Sequence, residues 1–287
     1  GHRRGLIQGR GGVHSAPYHG PLPMPTAAFL GGLSRHTSSE LEARLLRAKR
    51  FFETRGLEWC MWTGEDMLGA NLLQSLPHLF GSSGLELVNR LPGMHASTLL
   101  RTGRRLPAVR VRRVCSNTER EVFCRIISRV FSIPIAWCLE LYQPDCLWQG
   151  PFRAYLGYAG GDPVCTAAWY WDGANLGIYS VGTLRPFRNK GYAEATLRRM
   201  LAEAAIAHPV GSFVLQATDA AQPLYHRLGF TTVTHFQVYA SSPRRSRRTR
   251  TAWRWCGRWR RRWAARACGR TRSTGRGRGR RRTGWTR

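Results

Sequence analysis

The stretch Val181-Gly-Thr-Leu-Arg-Pro-Phe-Arg-Asn-Lys-Gly-Tyr-Ala193 runs from the end of a strand through a basic turn into a helix. Five apolar residues recur on one face after the turn and indicate a helix that begins at about residue 191: Ala193, Leu197, Met200, Leu201 and Ala204. Free N–H groups and the positive end of a helix dipole converge on such a turn. Arg188 and Lys190 add two cations there. The stretch therefore predicts a polyphosphate-binding site.

A second segment narrows this prediction. Residues 212–217 are typical of a buried strand, and residues 219–230 of a short helix that ends at Gly229. The turn Arg188-Asn189-Lys190-Gly191-Tyr192-Ala193 is similar to the Gln/Arg-x-x-Gly-x-Gly/Ala motif of the GNAT N-acetyltransferases, and Ala221-x-x-Leu224-Tyr225-x-Arg227-x-Gly229-Phe230 is similar to their second motif. Residues 108–240 thus resemble the GNAT family.

This resemblance implies an acetyltransferase that uses acetyl-CoA as cosubstrate and no metal. It implies that residues 179–183 splay from the neighbouring strand, so that main-chain groups of Val181 and Thr183 contact the pantetheine arm and the thioester oxygen. Tyr225 is the expected proton donor to the departing thiolate. The pyrophosphate is expected on the N–H groups of the turn, at Arg188, Asn189, Lys190, Gly191, Tyr192 and Ala193.

Two positions depart from the family pattern. Asn189 stands where most members have glycine, and asparagine tolerates a positive φ better than other non-glycine residues. No acid between residues 164 and 183 suits the role of general base, since Asp172 is typical of a tight turn. Deprotonation of the acceptor through water, or by Glu65 or Asp66, stays open.

The order of predicted elements indicates a mixed α/β fold. From residue 108 it is strand, helix capped by Thr118, three antiparallel strands, the turn, helix, strand, helix and a last strand at 231–239. This is the GNAT element order, with a central, mostly antiparallel sheet flanked by helices. Residues 36–106 predict an αβ subdomain, comparable to a degenerate GNAT half, with a strand at 85–91 ending before Pro92-Gly93. The expected organisation is a flexible leader (1–35), this subdomain (36–106), a GNAT domain (107–240) and a disordered tail (241–287).

The tail carries much of the formal net charge of +29. Residues 241–287 contain 19 arginines and five tryptophans but no acid and no lysine. Such a segment cannot build a core, and it could contact nucleic acid weakly through phosphates and bases. The same composition would also arise from a GC-rich gene translated out of frame. Two alternatives to catalysis therefore stay open: a nucleic-acid-binding protein acting through this tail, and a pseudoenzyme that binds acetyl-CoA.

The remaining features concern location and partners. The eight cysteines include no Cys-x-x-Cys pair and have no histidine at metal-ligand spacing, so reduced thiols and a cytoplasmic setting are expected. The longest apolar run, residues 130–139, is much shorter than the ~20 residues of a membrane span. We expect no membrane contact, a monomer or homodimer, and a small-molecule or protein amine as acceptor.

Overall fold

The computed structural model describes residues 13–15, 26–30, 38–56 and 59–241. Its strands are β1 (Val13–Ser15), β2 (Thr26–Leu30), β3 (Trp59–Gly64), β4 (Leu85–Ala96), β5 (Arg110–Arg113), β6 (Phe152–Ala159), β7 (Asp162–Trp171), β8 (Asn175–Thr183), β9 (Ser212–Gln216) and β10 (Thr231–Ser241). Its helices are α1 (Ser38–Glu53), α2 (Ala70–Ser82), α3 (Asn117–Phe131), α4 (Ile135–Tyr142), α5 (Asp145–Gln149), α6 (Tyr192–Ala207) and α7 (Gln222–Arg227).

The ten strands form one sheet in the order β1-β2-β3-β10-β4-β9-β8-β7-β6-β5. Only β2 with β3 and β8 with β9 run parallel, and the other neighbours are antiparallel. The expected mixed, mostly antiparallel sheet is confirmed. Strands β1 and β2 fall within the segment predicted as a flexible leader, where they pair at the edge of the sheet. The rest of residues 1–35, and the tail after Ser241, lie outside the described residues.

Strand β4 comes from the N-terminal segment but lies inside the sheet, between β9 and β10. It pairs with β9 through residues 93–96 and with β10 from Leu85 to His95, with two irregularities of register. The predicted strand end before Pro92-Gly93 is wrong, because β4 continues to Ala96. Glycine is needed at residue 93 since a Cβ would lie 2.7 Å from Thr234 Cγ2 and 2.8 Å from the Phe236 ring. The two predicted segments, 36–106 and 107–240, therefore contribute to one sheet.

Alternate residues of a strand point to opposite sides, and β6, β7 and β8 carry apolar side chains on both sides. Helices therefore cover both faces of these strands. Tyr155 and Ala167 pack with α6 on one face. Their neighbours Ala154 and Ala168 pack with α3 and α4 on the other face. A separate cluster packs α1 and α2 against β3 and the end of β10. We call the two sides of β6–β8 the α6 face and the α3 face.

The segment between β5 and β6 differs from the sequence prediction. Ser116, and not Thr118, caps α3: its Oγ accepts from the Glu119 N–H at 3.2 Å, and Glu119 Oε2 accepts from the Ser116 N–H at 3.1 Å. This capping box starts the helix two residues earlier than expected. The short helices α4 and α5 were absent from the prediction, because prolines directly before each of them resemble loop signals.

Candidate functional site

The turn between β8 and α6 contains two residues in the left-handed conformation. After a 3₁₀ turn at Arg185–Phe187, Asn189 has a φ of 62° and Gly191 a φ of 90°. The positive φ that asparagine was expected to tolerate at residue 189 is thus present. These two bends allow the chain to enter α6 directly from the end of the sheet.

The amino terminus of α6 faces this turn, and no side chain among the described residues caps it. Its first N–H groups have no partner within the helix and are available to a ligand. Arg188, Asn189 and Lys190 are exposed beside them. Arg188 Nε donates to the Thr183 carbonyl oxygen at 2.9 Å, and Lys190 Nζ lies 5.9 Å from the centre of the Phe187 ring. The turn therefore combines main-chain donors and cations at the positive end of a helix.

A gap opens between β8 and β9 next to this turn. The two strands pair only from Asn175 to Gly177 on β8 and from Ser212 to Val214 on β9. Strand β9 stays paired with β4 as far as Gln216. Residues 178–183 of β8 are therefore separated from β9. The resemblance to the GNAT family implied such a separation for residues 179–183.

A bulge in β8 lies in this gap. Pairing with β7 jumps from Ala168 opposite Tyr179 to Thr166 opposite Gly182, and Ser180 takes a φ of 54°. Thr166 Oγ1 donates to the Ser180 carbonyl oxygen at 2.8 Å, and the hydroxyls of Ser180 and Tyr142 are 2.7 Å apart. These two contacts from β7 and α4 hold a conformation that is costly for a residue with a Cβ.

Main-chain groups of β8 point into the gap after the bulge. The Leu184 N–H donates to the carbonyl oxygen of Val164 in β7 at 2.9 Å. Because bonding directions alternate along an antiparallel strand, the N–H and C=O of Thr183 point away from β7. The Thr183 carbonyl indeed accepts from Arg188 on that side. The Ser180 carbonyl accepts from Thr166 on the β7 side, so the N–H of Val181, on the opposite side of the same trans peptide, points toward the gap.

Tyr225 lies on α7 and is 5% exposed within the cluster on the α6 face. Its ring contacts Phe230 edge to face, with ring centres 5.8 Å apart. Burial raises the pKa of Tyr225 well above its ordinary value. Its hydroxyl makes no hydrogen bond to the described residues. The hydroxyl is therefore protonated at neutral pH and free to bind a ligand.

These features lie within a recognisable domain. Residues 123–230 match the model of the acetyltransferase (GNAT) family. The matched range includes the bulge, the gap, the turn and Tyr225. Residues 123–230 form a GNAT acetyltransferase domain.

Solved structures resemble the chain beyond this range. A GCN5-related N-acetyltransferase from Kribbella flavida is 20% identical with a TM-score of 0.63, over 82% of this chain and 88% of that one. One from Sphaerobacter thermophilus is 15% identical with a TM-score of 0.55, over 80% and 75% of the chains. A functionally unknown conserved protein from Staphylococcus epidermidis is 13% identical with a TM-score of 0.53, over 83% and 93%. At these identities the likeness shows the fold. No curated protein matches the sequence.

Each acid considered as a general base makes hydrogen bonds within the protein. Hydrogen bonds from backbone N–H groups of its own turn lower the pKa of Asp172. Two bonds of 2.7 Å from Arg90 do most to lower the pKa of Glu65. Asp66 bonds the Thr234 hydroxyl. Asp172 therefore stabilises the β7–β8 turn, and Glu65 is a weaker base than an unpaired glutamate.

The sequence did not predict the cluster of ion pairs around Glu194. Glu194, in the first turn of α6, is 1% exposed. Its carboxylate bonds Arg104 Nη2 at 2.6 Å, Arg198 Nη2 at 3.0 Å and Arg227 Nε at 3.4 Å. Burial opposes ionisation, but the bonds from Arg104 and Arg198 outweigh it and lower the pKa of Glu194. Only the arginine-rich composition of residues 100–107 could have drawn attention to Arg104.

None of the helices within residues 38–56 and 59–241 is long and apolar enough to cross a membrane. In the same part of the chain, no group of three or more His, Cys, Asp and Glu side chains is arranged to hold a metal ion.

Proposed function

We propose that the chain transfers the acetyl group of acetyl-CoA to an amine. One observation carries this proposal: the gap between β8 and β9 leads to the uncapped amino terminus of α6. Acetyl-CoA has a narrow arm with a thioester at one end and a pyrophosphate at the other. The gap suits the arm, and the turn at residues 188–193 suits the pyrophosphate.

The reaction would begin with attack by the amine nitrogen on the thioester carbon. A C–N bond forms, and the carbonyl oxygen takes up negative charge in a tetrahedral intermediate. The N–H of Val181, which follows the Ser180 bulge, would stabilise this oxygen. The Thr183 main chain would position the pantetheine arm beside it. Preorganised donors of this kind lower the barrier by about 3–4 kcal/mol in other enzymes.

The acceptor would reach the gap from the α3 face, since the α6 face is filled by apolar side chains. Tyr170, Tyr179 and Val214 are 43%, 46% and 37% exposed on three adjacent strands where the gap begins. The ring of Tyr179 lies over Gly177, where an added Cβ would be 2.7 Å from the Tyr179 hydroxyl. Water would carry the proton from the amine, because Asp172 and Glu65 are held in their own hydrogen bonds.

Collapse of the intermediate breaks the C–S bond and leaves a thiolate. Tyr225 would donate its hydroxyl hydrogen to this sulfur. Burial raises the pKa of Tyr225 above its ordinary value, whereas the pKa of an ordinary thiol is about 8.5. Full proton transfer from Tyr225 is therefore uphill, and we assign it mainly a hydrogen bond that stabilises the departing thiolate.

The proposal is tested on the full chain by thermal unfolding with acetyl-CoA, followed by release of the free thiol in the presence of a panel of amines. Ligand binding to the native state should raise the melting temperature with the logarithm of ligand concentration. Thiol release that depends on an amine would support transfer. The absence of any shift at millimolar acetyl-CoA would refute the proposal. A shift without thiol release for any amine would favour a protein that only binds acetyl-CoA.

A further inference from the structure

We propose that Arg104 and Arg227 bind the ribose 3′-phosphate of coenzyme A, so that the chain distinguishes coenzyme A from 3′-dephospho-coenzyme A. This inference rests on the proposed function, because it assumes that the turn at residues 188–193 holds the pyrophosphate. It assigns a role in substrate specificity to Arg104, which lies outside the range 123–230 matched by the GNAT family.

The segment between β4 and β5 brings Arg104 to the turn. The Leu100 N–H donates to the Leu228 carbonyl oxygen at 3.0 Å, which fixes the segment on the end of α7. Further along, a Cβ placed on Gly191 would lie 2.9 Å from Pro107 Cδ and 3.6 Å from Arg104 Nη2. The guanidinium of Arg104 is therefore beside the turn. We infer that the ribose attached to a bound pyrophosphate lies on this side.

The charges around Arg104 favour an anion. The buried carboxylate of Glu194 bonds three guanidinium groups, so the cluster has two more positive charges than negative ones. The guanidinium nitrogens of Arg198 already have acceptors, because they donate to Glu194 and to the Leu100 carbonyl oxygen.

Arg104 and Arg227 keep donors for a ligand. Their side chains are 45% and 46% exposed. Within the described residues, the Arg104 guanidinium donates from Nη2 alone, and Nη2 of Arg227 has no acceptor. Glu194 holds both guanidiniums in place, so their remaining donors are fixed beside the turn. Two fixed guanidiniums with spare donors are well suited to a phosphate dianion.

The test compares the affinities of coenzyme A and 3′-dephospho-coenzyme A for the full chain by calorimetric titration. We expect the affinity of the wild-type chain for coenzyme A to be at least about tenfold higher than for 3′-dephospho-coenzyme A, because charge-assisted hydrogen bonds to the phosphate contribute this much. Arg104→Ala should reduce this ratio several-fold while leaving the affinity for the dephospho form nearly unchanged. Arg105→Ala is the matched control, because Arg105 is exposed, adjacent and free of bonds to the described residues.

The other outcomes separate this inference from the proposed function. Equal wild-type affinities for both compounds would overturn the inference and leave the proposed function intact. Equal weakening of both compounds by Arg104→Ala would place Arg104 on the pyrophosphate and also overturn it. If neither compound binds the wild-type chain, the proposed function itself fails. Arg104→Lys, which keeps the charge but loses the planar fork, covers the case in which the alanine variant does not fold; we expect an intermediate ratio.

Discussion

Replacing Gly191 by alanine tests the geometry of the turn most directly. Gly191 has a φ of 90°, and an added Cβ would lie 2.9 Å from Pro107 Cδ and 3.4 Å from Leu106 Cδ2. The left-handed conformation costs an L-residue about 1–2 kcal/mol. Overpacking against a neighbouring side chain costs about 1–3 kcal/mol more. We therefore expect Gly191→Ala to lower the free energy of unfolding by roughly 2–5 kcal/mol.

Gly161 provides a matched control. Its φ is 100°, but an added Cβ would meet no atom of the described part of the chain within 4 Å. Gly161→Ala should therefore lose only the conformational part, about 1–2 kcal/mol. The difference between the two variants isolates the contact with the segment that carries Pro107.

Urea unfolding of both variants measures these free energies, and the midpoint should shift without a change in slope. Titration with acetyl-CoA then tests the link to function. Gly191→Ala should weaken binding because the N–H groups of the turn move, whereas Gly161→Ala should not. Equal destabilisation by the two substitutions would show that Pro107 does not pack on Gly191. Unchanged acetyl-CoA affinity in Gly191→Ala would remove the turn from the donor site.

Three further predictions concern catalysis, pH and the sheet. Tyr225→Phe should lower the turnover number roughly ten- to a hundredfold, the loss expected for one hydrogen bond to a charged group, and leave acetyl-CoA affinity nearly unchanged; steady-state kinetics that match wild type would remove its role. The pKa of Glu194 is lowered, so its ion pairs stabilise the fold above pH ~4.5 and are lost as the pH falls further. The free energy of unfolding, measured from pH 7 to pH 3, should fall as the pH drops, and Glu194→Gln should make this fall less steep. An equally steep fall in the variant would show that the ion pairs of Glu194 do not cause it. Gly93→Ala should destabilise the chain by at least about 1–3 kcal/mol, since its Cβ would overlap Thr234 and Phe236, and an unchanged melting temperature would contradict the pairing of β4 with β10.

The fold was predictable where local pattern and local structure agree. Strands β6, β7 and β8 are joined by short turns, so Asp172 and Gly173 mark one boundary directly in the sequence. The place of β4 was not predictable in this way. Its pairing with β9 and β10 joins residues more than a hundred positions apart. Nothing in the composition of residues 85–96 indicates those partners, and Pro92-Gly93 resembles a strand end.

The candidate site shows the same division. The turn from Arg188 to Ala193 is contiguous, so its glycine, its cations and the following helix are visible together in the sequence. Ser180 has no such signature, because its positive φ depends on contacts from Thr166 and Tyr142 on other elements. The bond between Arg104 and Glu194 spans 90 positions and likewise depends on the path of the chain.

The central position of β4 has a consequence for how the protein acquires its structure. Strand β10 pairs with β3 and β4, and the Trp59 N–H donates to Ser241 Oγ across 182 positions. A ribosome must therefore synthesise β10 before β3 and β4 can complete their hydrogen bonds. Folding rates fall as such distant pairings dominate a topology. Until β10 emerges, β3 and β4 are unpaired edges of the kind that aggregate, so the yield of native protein depends on how well the nascent chain is shielded during synthesis.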